Sequence, residues 1–185
     1  MEEKFQKLNK VFFSENAKIV AQELLGKILV RRIKNNLLKS KIVETEAYFG
    51  SEDPASRACQ NGNLRETMCG EPGTILVYGV HNNWLINFVT SKKGNAEAVL
   101  IRAIEPLNFN LKCSGPGLLT KALKINKSLH SKSIFNSKEL WIEEDQTISE
   151  SKDFEIVKSF RIGVKKDLQE KLRFYIKDNK FVSRK

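Results

Sequence analysis

The chain has 185 residues, of which 32 are Lys or Arg and 22 are Asp or Glu, so its formal net charge is +10. This length favours a single domain, and an apolar fraction of 41% is enough for a substantial core, which argues against wholesale disorder. No apolar run approaches the ~20 residues that a membrane span needs, and the first residues lack the apolar run of a secretory signal. The basic excess favours a polyanionic partner, although a lysine-rich proteome would explain it equally well.

Few residues are available for metal or thiol chemistry. The cysteines Cys59, Cys69 and Cys113 are widely spaced and odd in number, which predicts reduced thiols in an intracellular, non-secreted protein. The histidines, His81 and His130, are not paired with a cysteine at zinc-ligand spacing. We therefore expect no metal site, and a histidine-dependent triad is disfavoured as well.

The N-terminal part predicts a helix and a β-hairpin. Residues 14–26 carry apolar side chains on one helical stripe, with Ser14 as the expected N-cap and Gly26 just past the end. Residues 27–33 and 37–49 are rich in strand-forming side chains and are separated by a short polar turn. Two such strands are expected to pair in antiparallel fashion.

A long loop and a second hairpin follow. Residues 50–73 contain few apolar side chains and end in several Pro and Gly breakers, and loops of this length in compact domains are usually functional. Strands over 74–80 and 84–90 enclose a polar turn. The large rings near that turn suit a wedge for a nucleic-acid groove, whereas a single ring is more often packed beneath its own turn.

The remaining elements complete an α+β pattern. Residues 96–104 predict an apolar strand, and the Gly-Pro-Gly turn at 115–117 opens a short helix. Three more short strands are predicted at 140–142, 154–157 and 172–176. With no repeat or linker in the chain, we predict one α+β domain over residues 1–185, dominated by antiparallel hairpins.

Two carboxylates and a phenol lie on one face of the strand that precedes the long loop. Because side chains alternate along a strand, Glu44, Glu46 and Tyr48 point the same way. Periodicity alone favours a solvent-facing pair of glutamates, with Tyr48 closing the edge of the core.

A charged residue interrupts the apolar strand at 96–104. Arg102 needs a carboxylate partner or an anionic ligand, because burying an unpaired charge costs several kcal/mol. Glu44, Glu46 or Glu105 could be that partner. A structural ion pair and a carboxylate–arginine pair that orients a water molecule are equally supported.

Short segments over roughly residues 20–183 occur in a characteristic order. They are Ile42–Tyr48, Glu52-Asp53, Pro72–Thr74, Val77-Tyr78, Val99–Pro106, Ser114–Leu119, Ala122-Leu123, Arg161–Gly163 and Leu172–Tyr175. In this succession they resemble the alkyladenine (3-methyladenine) DNA glycosylase family.

The resemblance implies a monofunctional base-excision repair enzyme, and we expect it to act as a monomer. The implied fold is one compact domain with a curved antiparallel sheet, flanking helices and a protruding hairpin that inserts into DNA. The implied partner is double-stranded DNA that contains damaged purines, such as 3-methyladenine, 7-methylguanine, hypoxanthine or ethenoadenine. No cofactor is expected.

The resemblance also implies roles for single residues. Glu46 would activate the attacking water, and Arg102 would help to hold that water and keep Glu46 ionised. Tyr48 and Tyr78 would sandwich the extruded base. Asn87 would lie at the pocket wall and disfavour normal purines.

Two positions depart from the family pattern. Arg57 stands where the family usually has a histidine, and the hairpin tip is one residue shorter than the common form. His81 aligns with the intercalating tyrosine, although Val80 or Asn82 would take that place if the gap moved. We expect Arg57 to turn outward to a phosphate, because nothing would compensate its charge beside a cationic base. If its head pointed inward, it would disfavour positively charged purines.

The basic side chains suit contacts with DNA phosphates. Candidates are Lys121, Lys124, Lys127 and Lys171. Three alternatives remain at this point. They are a non-catalytic binder of damaged DNA or of RNA on the same fold, a bifunctional glycosylase/lyase that uses a lysine amine, and an enzyme directed at RNA.

Overall fold

One long central strand organises the protein. The computed structural model describes residues 6–145 and 154–185. Within these ranges, β2 (Asn36–Tyr48) pairs along one edge with β5 (Ala98–Pro106). Its other edge pairs first with β1 (Ile28–Ile33) and then with β8 (Arg173–Ile176), and all of these pairings are antiparallel. β2 is therefore covered on both edges over the residues that carry Glu44 and Glu46.

The other strands extend the sheet outward from this centre. β3 (Ile75–Val80) and β4 (Asn83–Val89) form a hairpin that joins β5 through β4, while β6 (Leu140–Glu143) pairs with β1 and β7 (Ile156–Ser159) pairs with β8. The result is one compact unit with a curled antiparallel sheet and few helices, which confirms the predicted α+β class. The limits of the domain at residues 1 and 185 stay a prediction.

The core lies between the sheet and the N-terminal helices. On α2 (Ala17–Glu23) the buried face consists of Ala17, Val20 and Ala21. The Thr45 hydroxyl of β2 donates to the Ala21 carbonyl oxygen at 2.7 Å. Because side chains alternate along β2, Glu44 and Glu46 point to the face opposite this helix.

The predicted helix over 14–26 is wrong in its start. A separate helix, α1 (Lys10–Phe13), precedes it, and the Ser14 hydroxyl donates to the Lys10 carbonyl oxygen at the end of α1 instead of capping a new helix. The N-cap of α2 is Asn16, whose side chain accepts from the Ile19 amide at 3.1 Å. Gly26 lies beyond the C-terminus with φ of 88°, a conformation that glycine adopts without strain.

The segment over 50–73 is more ordered than predicted. It contains a single 3₁₀ turn at Arg57–Cys59 and a short helix, α3 (Asn63–Met68). Met68 and Leu64 pack on Leu76 of β3, four residues apart on one face of α3. That spacing was the available signal for a helix, and the surrounding polar residues obscured it.

The second hairpin is close to the prediction. Its two-residue loop consists of His81 (φ 45°) and Asn82 (φ 60°), and positive φ at both positions is what a type I′ turn needs. Helix α4 (Pro116–Ala122) packs against this hairpin so closely that a Cβ on Gly117 would lie 2.8 Å from the Asn83 side chain. The Gly-Pro-Gly turn therefore permits the contact between helix and hairpin.

No helix in the described part of the chain is long and apolar enough to cross a membrane.

Candidate active site

A buried carboxylate lies at the centre of the candidate site. The Glu46 side chain on β2 has no solvent exposure. Its Oε1 accepts from the Ile162 backbone amide at 2.8 Å, and its Oε2 accepts from the Tyr48 hydroxyl at 2.8 Å. A carboxylate has about four acceptor positions, so it keeps capacity for one more donor, such as a water molecule.

Arg102 on β5 bridges both glutamates of β2. Its Nη1 lies 3.2 Å from Glu46 Oε1, and its Nε lies 3.5 Å from Glu44 Oε1. The register of β2 and β5 shifts here, so that neither Val43 nor Arg102 has a paired residue on the opposite strand. Such irregularities re-aim side chains, and this one directs the guanidinium toward the two carboxylates.

The protonation of Glu46 reflects a balance of opposing effects. Burial raises the pKa of Glu46 above its usual value, although the Arg102 charge and the hydrogen bonds from Ile162 and Tyr48 act in the other direction. The expectation that Arg102 simply keeps this carboxylate ionised is therefore incomplete. The carboxylate is placed to accept a proton more readily than an exposed glutamate.

Glu44 has a different set of partners. Its Oε1 accepts from Arg173 Nη1 at 2.9 Å, and its Oε2 accepts from the Ser183 amide at 2.7 Å. Arg173 in turn donates to the Arg184 carbonyl oxygen at 2.8 and 2.9 Å. Glu44 is thus occupied in attaching the segment around residue 183 to the sheet.

Tyr48 is supported by a buried network that the sequence analysis did not assign to the site. The Arg161 guanidinium lies over the Tyr48 ring, with its Cζ 4.6 Å from the ring centre. It donates to both oxygens of Asp53 at 2.6 and 2.7 Å, and its Nε donates to Asp167 at 2.9 Å. Burial and the Glu46 charge raise the pKa of Tyr48 well above its usual value, so this phenol stays protonated.

Arg161 could not be assigned to the candidate site from the local sequence pattern. It belongs to a segment that contributed to the family resemblance, but its partner Asp53 lies 108 residues away in the sequence. Asp53 also accepts from the backbone amides of Phe49 and Ala55, both at 3.0 Å. The network therefore joins the end of β2, the following loop and the segment before β8.

The second tyrosine lies on the hairpin. Tyr78 on β3 is close to Asn87 on β4, and the Asn87 side chain is almost fully buried and donates to the Leu76 carbonyl oxygen at 3.2 Å. Burial raises the pKa of Tyr78, against the charge of Arg57 and hydrogen bonds with Arg57 and Asn87. The Glu46 charge contributes to the raised pKa of both phenols, so Tyr78 as well as Tyr48 lies near this carboxylate.

Contrary to the prediction, Arg57 does not turn outward. Its guanidinium lies over the Tyr78 ring, with Cζ 5.0 Å from the ring centre, although the residue as a whole is exposed. A planar guanidinium gains from such a contact with an aromatic face, and the exposed position limits the desolvation that the prediction invoked.

His81 lies apart from the other predicted site residues, which are Glu46, Arg102, Tyr48, Tyr78, Asn87 and Arg57. It is exposed at the tip of the hairpin, three positions beyond Tyr78, and its carbonyl oxygen accepts from the Asn83 side chain at 2.8 Å. The other histidine, His130, accepts from the Val77 amide at 3.2 Å through Nδ1 and supports β3 from outside the site.

An apolar pocket lies elsewhere in the protein. It has a volume of about 370 Å³ and is lined mainly by Leu8, Phe13, Phe135 and Trp141. A more open groove of about 500 Å³ runs beside Arg57, between Pro54 and the basic residues Lys165 and Lys166. The groove, not the apolar pocket, adjoins the candidate site.

Comparison with known proteins gives the family of this chain. The sequence pattern of the methylpurine-DNA glycosylase (MPG) family matches residues 11–180. A protein of Clostridium perfringens is 40% identical over 97% of this chain and the whole of its own length. A protein of Aeropyrum pernix is 40% identical over 96% of this chain and 93% of its own length. A protein of Borrelia garinii is 37% identical over 96% of this chain and the whole of its own length. All three carry the name "Putative 3-methyladenine DNA glycosylase".

The chain therefore belongs to the methylpurine-DNA glycosylase family. The resemblance on which the sequence analysis relied is confirmed, as is the assignment to monofunctional DNA glycosylases, a class of hydrolases in base-excision repair. The roles of the individual side chains stay predictions.

Proposed function

We propose that this protein hydrolyses the N-glycosidic bond of alkylated or deaminated purines that have been extruded from duplex DNA, using a water molecule activated by Glu46. The observation that carries this proposal is the fully buried Glu46 carboxylate, which accepts from the Tyr48 hydroxyl and is held by Arg102 and the Ile162 amide. A stacked base hides its glycosidic bond, so the nucleotide must leave the helix, and a damaged base does so at the lowest cost.

The two tyrosines provide a recess for a flat aromatic base. Taken alone, an aromatic face such as that of Tyr48 or Tyr78 attracts a purine that carries positive charge by roughly 0.5–2 kcal/mol more than a neutral one, before nearby charges act on it. The buried amide of Asn87 lies at the Tyr78 wall, where it disfavours a normal purine. Selection then depends on charge and shape together.

The chemical step needs a base and stabilisation of positive charge. As the bond between C1′ and the purine nitrogen breaks, its electron pair leaves with the purine, and the sugar develops oxocarbenium character. Water attacks C1′ and gives a proton to Glu46, while the negative charge of Glu46 stabilises the cationic sugar. A methylated cationic purine departs neutral, whereas a neutral purine departs as an anion and takes up a proton from solvent water.

The duplex is held by the hairpin and by basic side chains. His81 at the exposed tip would fill the gap left by the extruded nucleotide, as inserted side chains do in other complexes. Lys121, Lys124, Lys127 and Lys171 are all exposed and available to phosphates. The protein would act as a monomer on double-stranded DNA inside the cell.

Base release from a panel of duplexes tests the function directly. Each duplex carries one lesion, either 3-methyladenine, 7-methylguanine, hypoxanthine or ethenoadenine, and matched RNA duplexes serve as controls. We expect the wild-type protein to release free base from DNA and Glu46→Gln to release none. Binding without release by the wild-type protein would indicate a non-catalytic binder, and a covalent adduct trapped by borohydride would indicate a lysine-dependent lyase.

A further inference from the structure

Both aromatic walls of the candidate pocket carry a guanidinium, but the two differ in charge balance. Arg161, over Tyr48, is paired with Asp53 and Asp167. Arg57 lies 5.0 Å from the centre of the Tyr78 ring, and across residues 6–145 and 154–185 no carboxylate lies within ion-pair distance of it. Within these described ranges, the guanidinium beside Tyr78 therefore has no carboxylate to balance its charge.

The backbone around Arg57 is firmly attached to the fold. The Ser56 hydroxyl accepts from the Ala58 amide at 3.1 Å, and Ala58 is fully buried against Met68 and Leu76. The Ser56 amide donates to the Asp53 carbonyl oxygen at 2.9 Å. Arg57 thus projects from a fixed turn toward Tyr78 and is not the tip of a free loop.

On the basis of the proposed function, we infer that Arg57 sets the class of lesion, favouring neutral damaged purines such as hypoxanthine and ethenoadenine over cationic methylpurines such as 7-methylguanine. A base stacked on Tyr78 would share that ring with the guanidinium, whose Cζ is 5.0 Å from the ring centre. A cationic base is repelled there, and the ring that would attract it already interacts with a cation. A neutral purine meets no repulsion, and its ring nitrogens or oxo group can accept from the guanidinium.

The size of the effect follows from the distance and the exposure. At the protein surface, the repulsion between two unit charges a few ångströms apart is only partly screened, so we expect a discrimination of about tenfold in rate. Because Arg57 is exposed, added salt should reduce this discrimination.

The test compares single-turnover rates on two duplexes that differ only in the lesion, 7-methylguanine or hypoxanthine, after subtraction of uncatalysed release. The quantity compared is the ratio of the 7-methylguanine rate to the hypoxanthine rate. We expect Arg57→Ala and Arg57→Gln to raise this ratio about tenfold over the wild type, and Arg57→Lys to leave it close to the wild-type value. Contacts with phosphates affect both duplexes equally and cancel in the ratio.

Arg65 provides a matched control. It is another arginine on the same segment, but its guanidinium donates to Asn61 at 2.7 Å instead of contacting the pocket. Arg65→Ala should leave the ratio unchanged. Lesion binding by Glu46→Gln, with and without Arg57→Ala, should show the same shift in equilibrium affinity without any chemistry.

Two results would overturn the inference. One is an unchanged ratio in Arg57→Ala with a weaker salt dependence of DNA binding, which would make Arg57 a phosphate contact. The other is an equal rise in Arg65→Ala, which would make the effect one of general surface charge. If the wild-type protein released neither base, the proposed function itself would fail, which is a different result from an unchanged ratio.

Discussion

Glu44 and Glu46 lie two residues apart on one strand, are equally buried and contact the same arginine, but their surroundings differ. Glu44 is paired with Arg173 and the Ser183 amide, in addition to its contact with Arg102. Glu46 has a neutral phenol, a backbone amide and the shared Arg102. Only Glu44 has a second charged partner, and under the proposed function Glu44 is the structural carboxylate and Glu46 the reactive one.

The largest expected effect is the loss of base release in Glu46→Gln compared with Glu44→Gln. Because the amide cannot take a proton from water, we expect base release to fall by at least ~10²–10⁴-fold. Lesion binding should stay within severalfold of wild type, as measured by titration of a fluorescent duplex. Glu44→Gln is the matched control, and an inactive Glu44→Gln beside an active Glu46→Gln would reverse the assignment.

Arg102→Ala should disturb the surroundings of both Glu44 and Glu46. It removes the arginine that these two buried carboxylates share, and breaking a fully buried pair typically costs about 3–5 kcal/mol. We expect a lower unfolding midpoint in urea together with slower base release, measured at a temperature where the variant is folded. Normal unfolding and normal turnover would show that the bridge is unimportant.

Glu44→Gln should lower stability while sparing the chemistry. Arg173 would keep the Arg184 carbonyl oxygen but lose its buried counter-charge, so we expect a loss of roughly 2–4 kcal/mol of unfolding free energy. Single-turnover release at low temperature should stay within severalfold of wild type. A stable but inactive protein would assign Glu44 to the reaction.

The pH dependence offers a finer comparison. Burial raises the pKa of Glu46, and the ionised form is the one that accepts a proton, so activity should fall on acidification at a pH above the usual range of a glutamate. Arg102 opposes this rise, and Arg102→Gln should therefore move the acid limb to still higher pH. Single-turnover pH–rate profiles measure the acid limb of the wild type and of Arg102→Gln. If the limb were at the same pH in both, another group would be titrating.

The smallest effect is expected at the hairpin tip. His81→Ala should weaken binding to lesion-containing and undamaged duplexes alike, by severalfold, because a wedge does not read the lesion. Val80→Ala and Asn82→Ala are the neighbouring controls. Selective loss of lesion binding in His81→Ala would place this residue in base recognition instead.

Local pattern predicted part of this site. Alternation along β2 placed Glu44, Glu46 and Tyr48 on one face, and the apolar context of Arg102 required a carboxylate partner. The solvent-facing pair of glutamates that periodicity favoured is wrong, because both side chains are fully buried, and the roles of single residues came from the family resemblance. Alternation could not tell the two glutamates apart, because their difference comes from Arg173 and Ser183, more than a hundred positions away.

The parts that were missed depend on contacts between distant segments. Arg161 supports Tyr48 only because the chain returns to the loop that holds Asp53. The orientation of Arg57 depends on where the turn at residues 56–59 packs beside β3. The helix α3 was obscured by its polar composition, although the spacing of Leu64 and Met68 indicated it.

The attachment of Glu44 to Ser183 also bears on the order in which the protein becomes complete during synthesis. The two residues are 139 positions apart, and the Arg184 carbonyl oxygen that completes the cluster follows Ser183 directly. At ~5–20 residues per second, about 7–28 s pass between the synthesis of β2 and that of its last partners. A nascent chain can form the β3–β4 hairpin during this interval, but the strand that carries Glu46 reaches its final ion-pair arrangement only after residue 184 has left the ribosome.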